Sequence, residues 1–223
     1  ALLHQILWPR GAMYDTILRL YVDYVSRRYS NASVVFDGYE AGPSTNDCTH
    51  QRRTGLHSPT VNFEINMVLT YMKHEFLANT INKQWFINLL ATQLQDAGCT
   101  VLHATGDADV LIVQTTIESA RARNTVLVGD DTDLLVLLWY HLRLDDHDVF
   151  FAPEPKQRSQ TRRVWNVKKA KNSLGSKVYT NILFIHAILG CDTTSRLYGI
   201  GKPLALKKIV EENSIFLEQA SVF

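Results

Sequence analysis

The sequence predicts an α/β fold, a mostly parallel central sheet with helices on both faces, and two observations carry that prediction. Short apolar, β-branched runs alternate with segments whose apolar residues recur at helical spacing. Aspartates follow the apolar runs, in Val34-Val35-Phe36-Asp37-Gly38, Gly106-Asp107-Ala108-Asp109, Gly129-Asp130-Asp131-Thr132-Asp133 and Gly190-Cys191-Asp192. Ligands of open α/β sheets bind beyond the strand ends, so this placement predicts one shared acidic cavity. Carboxylates gathered there repel one another unless something positive sits between them, and a hard divalent cation such as Mg²⁺ or Mn²⁺ meets that need.

Residues 12–29 place Ile17, Leu20, Tyr21, Tyr24 and Val25 at helical spacing and end in Arg27-Arg28, cations that suit a helix C-terminus. Ser33–Phe36 reads as a short β-branched strand ending at Asp37-Gly38. The polar stretch 39–60 reads as a loop, and 61–79 as a helix with Ile65, Val68, Leu69, Met72 and Phe76 on one face. A helix at 82–97 follows, stopped by Gly98, then a strand at 99–104 and a helix opening near Asp107 to Asp109. The strand Thr125–Val128 leads through the aspartate cluster into the apolar run 134–139, and Val149–Ala152 is a further strand. Residues 156–171 then supply Lys156, Arg158, Arg162, Arg163, Lys168, Lys169 and Lys171 without an acid. An apolar helix at 181–189 delivers Gly190-Cys191-Asp192, and Gly199-Ile200-Gly201-Lys202-Pro203 opens a last helix.

Bulk composition narrows the class. A chain of 223 residues with 46% hydrophobic and 20% charged content fits one large domain, or one with a small appendage. Its net charge of +1 excludes neither nucleic acid nor acidic partners. Cys48, Cys99 and Cys191 are odd in number and form no CxxC, which argues against a disulfide framework or zinc knuckle and for a reducing, intracellular compartment. No stretch approaches the roughly 20 apolar residues of a spanning helix. The opening Ala1-Leu2-Leu3-His4 lacks a methionine, so the chain reads as a fragment or processed product. No P-loop or nucleophile elbow is present.

The pairs Asp107/Asp109 and Asp131/Asp133 sit where a strand gives way to a helix. Any one pair alone reads as a helix N-cap. Four groups in the same strand-end context read as metal ligands, because capping does not explain two aspartates after a strand. Two divalent ions about 3.5–4 Å apart activate a water and stabilise the leaving oxygen of a phosphodiester, and several carboxylates are required to hold them.

These residues resemble the flap endonuclease and XPG-like 5′ nucleases, a branch of the PIN-like fold. In that family a strand ends in a Phe-Asp-Gly motif, as at Asp37; a Gly-Glu-Ala-Glu motif supplies two ligands, matched by Asp107 and Asp109; and an Asp-x-Asp follows a strand, as at Asp131 and Asp133. A Gly-x-Asp motif then precedes a Gly-Ile-Gly hairpin, as at Asp192 and Gly199-Ile200-Gly201. The resemblance covers residues 34–209 in order and approximate spacing. It implies a PIN-like core over 1–189 with an arch or clamp-like insertion at about 39–80, and a truncated helix-hairpin-helix-like element over 190–223.

The implied activity is structure-selective phosphodiester hydrolysis in DNA, or RNA, by a two-metal mechanism. Asp37, Asp107, Asp109, Asp131, Asp133 and Asp192 would hold Mg²⁺ or Mn²⁺. His50-Gln51-Arg52-Arg53 is the basic candidate of the arch, with Arg52 or Arg53 neutralising the phosphate; for His50 a solvated loop charge stays open. Gly199, Gly201 and Lys202 would grip duplex phosphates, with a K⁺ ion at the hairpin. A nuclear location is the family's. The resemblance also implies a first-strand aspartate upstream of Ala1. Both glutamates of the family motif are shorter aspartates in this chain, which motivates the alternative of a non-catalytic nucleic-acid-binding scaffold; a purely structural interaction domain is a third reading. The basic run 156–171 reads as a solvated surface with Trp165 anchored in the core, Trp8, Trp85 and Trp139 as packing residues, and Asp145, Asp146 and Asp148 as a charged turn.

Overall fold

The computed structural model describes residues 2–38, 59–154 and 164–190. The chain divides into two compact units, Ala1–Leu111 and Ile112–Phe223. Both are mixed α/β. No helix among the described residues is long and apolar enough to cross a membrane.

The first unit contains helices α1 (Leu2–Gln5), α2 (Tyr14–Arg28), α3 (Lys73–Ala78) and α4 (Thr80–Asp96), with strands β1 (Ser33–Phe36) and β2 (Thr100–His103). Helix α2 buries Ile17, Leu18, Tyr21 and Val25, the stripe its periodicity predicts, with Asp15 in its first turn and Arg27 and Arg28 in its last. In α4 the residues Asn82, Phe86, Leu90 and Leu94 recur every fourth position and are buried with Ile87 and Ala91. Asn79 caps its start, accepting from the amides of Ile81 and Asn82 at 3.0 and 3.1 Å. Gly98 ends it at φ +86°. There the Gly98 amide donates to the Gln95 carbonyl and the Cys99 amide to that of Leu94, each at 2.9 Å, a Schellman arrangement that satisfies the last carbonyls. The chain then enters β2, which lies parallel to β1 with Ser33 opposite Thr100 and Phe36 opposite His103.

The expected helix at 61–79 is a correction: of those residues only Lys73–Ala78 are helical. Residues 65–69 instead pair with the entry to α2. The Tyr14 amide donates to the Met67 carbonyl at 3.1 Å, Asp15 to Ile65 at 2.8 Å, and Leu69 to Ala12 at 2.8 Å. Long-range pairing wins over local periodicity. The supposed apolar face is divided, with Leu69 and Phe76 buried while Val68 and Met72 are exposed.

Aromatic side chains make the core of this unit. Phe86 lies 4.8 Å from Trp8 and 5.7 Å from Tyr21 between ring centres, and Tyr14 stacks on Phe63 at 4.2 Å. The Tyr21 hydroxyl accepts from the Trp8 indole at 2.9 Å and donates to the Leu3 carbonyl at 2.6 Å. The buried Tyr14 hydroxyl makes no hydrogen bond among the described residues. Burial pushes the Tyr14 phenol up to about 12 and raises that of Tyr21 as well. A phenol with a raised folded-state pKa contributes stability that is complete below about pH 10, the unfolded value, and is lost as pH rises through the folded one. Burial of the Lys73 and Lys83 ammoniums lowers their pKa values and works in the opposite direction on alkalinisation. The difference between wild type and Tyr14→Phe isolates the phenol. We expect Tyr14→Phe to be neutral or stabilising at pH 7, since it removes an unpaired buried hydroxyl, and to lose less stability between about pH 10 and 12. Urea unfolding across that range checks both outcomes.

The second unit takes up the rest of α5 (Ala108–Ala120), then β3 (Thr125–Val128), α6 (Thr132–His141), β4 (Val149–Ala152), β5 (Trp165–Asn166), α7 (Val167–Leu174), α8 (Ser176–Thr180) and α9 (Ile182–Leu189). Strands β3 and β4 are parallel, with Thr125 opposite Val149 and Val128 opposite Ala152, while β5 adds antiparallel at the edge, Phe151 opposite Trp165. The parallel pairing of β1 with β2 and of β3 with β4 was expected, but the single central sheet is a correction: the described strands form two short sheets, β1-β2 and β3-β4-β5, and the short antiparallel strand was not foreseen. The apolar run 134–139 is helical and buries Leu134, Val136 and Leu138. These pack with Val113, Leu127, Leu142, Val149, Phe151 and Val167 on one side, and with Val178, Ile182 and Ile185 on another.

The basic stretch is corrected in its described part. Lys171 is buried, donates to the Leu142 carbonyl at 2.6 Å and lies 4.7 Å over the Tyr179 ring, so it closes the C-terminal end of α6. Burial lowers its pKa. Lys168 bonds the Asp146 carbonyl. Trp165 is not anchored in the core; it is 45% exposed, with its ring stacked on Phe151. Trp85 is also exposed, at 42%, whereas Trp8 and Trp139 pack against the cores as expected. The charged turn holds, since Arg143 pairs with Asp145 at 3.0 Å and its amide donates to Asp146.

Candidate acidic site at the strand ends

Each unit carries its own acidic group, placed by the same local logic. In the first unit, β1 ends at Phe36, whose carbonyl accepts from the Ala104 amide at 3.0 Å. The next two residues turn close over the neighbouring strand end. The Gly38 amide donates to the Gly106 carbonyl at 3.1 Å, and a Cβ at Gly38 would fall 1.8 Å from the Ala104 carbonyl oxygen. Only glycine fits this approach. It holds exposed Asp37 beside the start of α5, where its Oδ1 accepts from the Ala108 amide at 3.2 Å. Asp107 Oδ1 accepts from the Asp109 amide at 3.0 Å. The parallel neighbours β1 and β2 therefore bring Asp37, Asp107 and Asp109 to one strand-end region, and two of these aspartates cap the same helix start.

Among the described residues, Lys83 of α4 is a cation that feels Asp37. Burial pulls its ammonium below the usual lysine range, and the Asp37 carboxylate opposes that shift. The sequence reading did not single it out. Lys73, at the start of α3, is engaged elsewhere: its ammonium donates to the Ile6 carbonyl at 2.7 Å.

In the second unit, β3 runs into Gly129, whose amide donates to the Ala152 carbonyl at 3.0 Å. Asp130 follows, accepting from the Glu154 amide at 3.2 Å and so tying the ends of β3 and β4 together. Asp131 caps α6, its Oδ1 accepting from the Asp133 amide at 2.9 Å. The Asp133 Oδ1 lies 2.9 Å from His186 Nε2 on α9. A carboxylate only accepts, so the imidazole nitrogen donates. The sequence reading missed His186, and its signal was faint: it is the one polar residue in the helix Ile-Leu-Phe-Ile-His-Ala-Ile-Leu.

Asp192, Gly199, Gly201 and Lys202, together with His50, Arg52 and Arg53, lie outside the described residues. Carboxylate oxygens at strand ends are suitable donors for Mg²⁺ or Mn²⁺. Among the described residues, however, no group of three or more His, Cys, Asp and Glu is arranged to hold a metal ion, so no coordination geometry follows from them. Capping fully explains one oxygen each of Asp37, Asp107 and Asp131. Comparison with known proteins yields no match: no family model, no curated protein and no solved structure matches the chain.

Proposed function

We propose that the chain is the core of a metal-dependent, structure-selective nuclease of the flap endonuclease and XPG-like type, with a PIN-like fold, cutting phosphodiester bonds in DNA or RNA. The observation that carries this reading is the shared strand-end position of Asp37, Asp107 and Asp109 beyond the parallel pair β1 and β2. It is supported by the same strand-to-helix placement of Asp131 and Asp133 in the second unit. With Asp192, these residues would hold Mg²⁺ or Mn²⁺, which supply Lewis-acid activation of water and charge neutralisation at phosphorus. The chain's own part is to fix the carboxylates: Gly38 sets the turn that carries Asp37, and the helix caps fix Asp107 and Asp131. Arg52 or Arg53 would neutralise the phosphate, and Gly199-Ile200-Gly201-Lys202 would grip duplex phosphates.

One observation favours a second reading, a non-catalytic nucleic-acid-binding scaffold of the same fold: the described carboxylates serve as caps or pair with His186 and do not converge in threes. A Mg²⁺ and Mn²⁺ titration over a labelled 5′ flap and a labelled single strand separates the two, with Asp131→Asn as control. Asparagine preserves the cap and removes the charge. The nuclease reading expects metal-dependent cutting that falls about 100-fold or more in the control, a loss of roughly 2.7 kcal/mol of transition-state stabilisation. Tight binding with no cutting at any metal concentration establishes the scaffold instead.

A further inference from the structure

We propose that His186 is a positioning residue for the Asp131–Asp133 acidic group, holding the Asp133 carboxylate in place through its Nε2–H; the inference rests on the nuclease reading. Helix α9 is otherwise apolar and buries Ile182 and Ile185 against Val136 of α6 and Val178 of α8. An imidazole in that setting is costly unless its polar atoms find partners. His186 is only 18% exposed, and it donates across to Asp133, itself 28% exposed, at 2.9 Å.

The bond completes a chain of restraint. Asp131 accepts the Asp133 main-chain amide, which fixes where Asp133 begins, and His186 fixes which way its carboxylate turns. An aspartate in the first turn of a helix otherwise samples several rotamers, and a ligand carboxylate gains affinity when a neighbour selects one.

The test compares the whole chain with His186→Leu, His186→Gln and Asp133→Asn in two readouts: the metal concentration giving half-maximal cleavage, and the rise in melting temperature that Mn²⁺ induces without substrate. Leucine suits the apolar helix and removes the donor, while a glutamine amide reaches the position of Nε2. We expect His186→Leu to raise the half-saturating metal concentration at least about 10-fold and to shrink the Mn²⁺-induced rise, with kcat at saturating metal within a few-fold of wild type. His186→Gln should restore both. If the leucine variant does not fold, His186→Ala takes its place. Wild-type metal dependence in both leucine and glutamine variants, with Asp133→Asn impaired, would make the bond a purely structural link and overturn the inference while the nuclease reading stands. Wild-type cleavage and metal response in Asp133→Asn would remove the nuclease reading and this inference with it.

Discussion

Gly38→Ala is expected to unfold the first unit, or to leave it destabilised by several kcal/mol. The added Cβ would sit 1.8 Å from the Ala104 carbonyl oxygen and 2.8 Å from its carbonyl carbon. Both atoms are backbone, so no rotamer change relieves the clash. Nor can the strands slide apart cheaply, because the Ala104 amide is bonded to the Phe36 carbonyl at 3.0 Å and the Gly38 amide to Gly106 at 3.1 Å. Overpacking costs about 1–3 kcal/mol where side chains can yield, and more where they cannot. Gly106→Ala is the matched control, because nothing lies within 4 Å of its Cβ position. Guanidinium unfolding of the two variants should show a large loss for the first and a change within about 0.5 kcal/mol for the second. Equal stabilities would mean that the Asp37 turn does not approach the Ala104 strand end as described. The consequence for the site is direct, since any chain that survives the substitution must move Asp37 away from the start of α5.

The elements that could be read from sequence were those whose pattern is enforced locally. β1, β3 and β4 appear as short β-branched or aromatic runs that bury Phe36, Leu127 and Phe151 respectively, and Gly98 marks the end of α4 because its φ of +86° favours glycine. The failure at 61–79 is of another kind. Ile65, Val68 and Met72 imitate helical spacing, but hydrogen bonds to Ala12, Tyr14 and Asp15 decide the backbone, and those partners are distant in sequence. Helix α7 was hidden behind its lysines, since composition alone does not reveal that Lys171 satisfies the Leu142 carbonyl and lies over Tyr179.

The acidic site divides in the same way. Asp107, Asp109, Asp131 and Asp133 stand out in the sequence because strand-to-helix junctions have a recognisable chemistry, and the structure places them at those junctions. His186 meets Asp133 only through the packing of α9 on α6, which no spacing rule predicts. Lys83 likewise comes under the influence of Asp37 only through the tertiary placement of α4, which lies in sequence between the paired strands β1 and β2.

The second large effect concerns metal binding itself. Replacing Asp107 and Asp109 together by asparagine is expected to weaken Mn²⁺ binding by about two orders of magnitude, because the affinity of an oxygen-donor site follows its ligand charge. Fold stability without metal should change little, since asparagine caps a helix as well as aspartate does. The capping role of Asp107 and the proposed ligand role of the pair therefore separate in one set of substitutions. The capping bond of Asp107 to the Asp109 amide survives in the variant, and only the negative charge is lost.

The measurement that bears most directly on the account is a Mn²⁺ titration of the chain followed by electron paramagnetic resonance, run beside the Asp107→Asn/Asp109→Asn variant. The account predicts saturable uptake approaching about two ions per chain, lost in large part in the variant while its metal-free melting temperature is retained. Absence of saturable uptake by the wild type, with nucleic acid still bound equally well in chelator, would contradict it and leave the aspartates as helix caps on a binding scaffold.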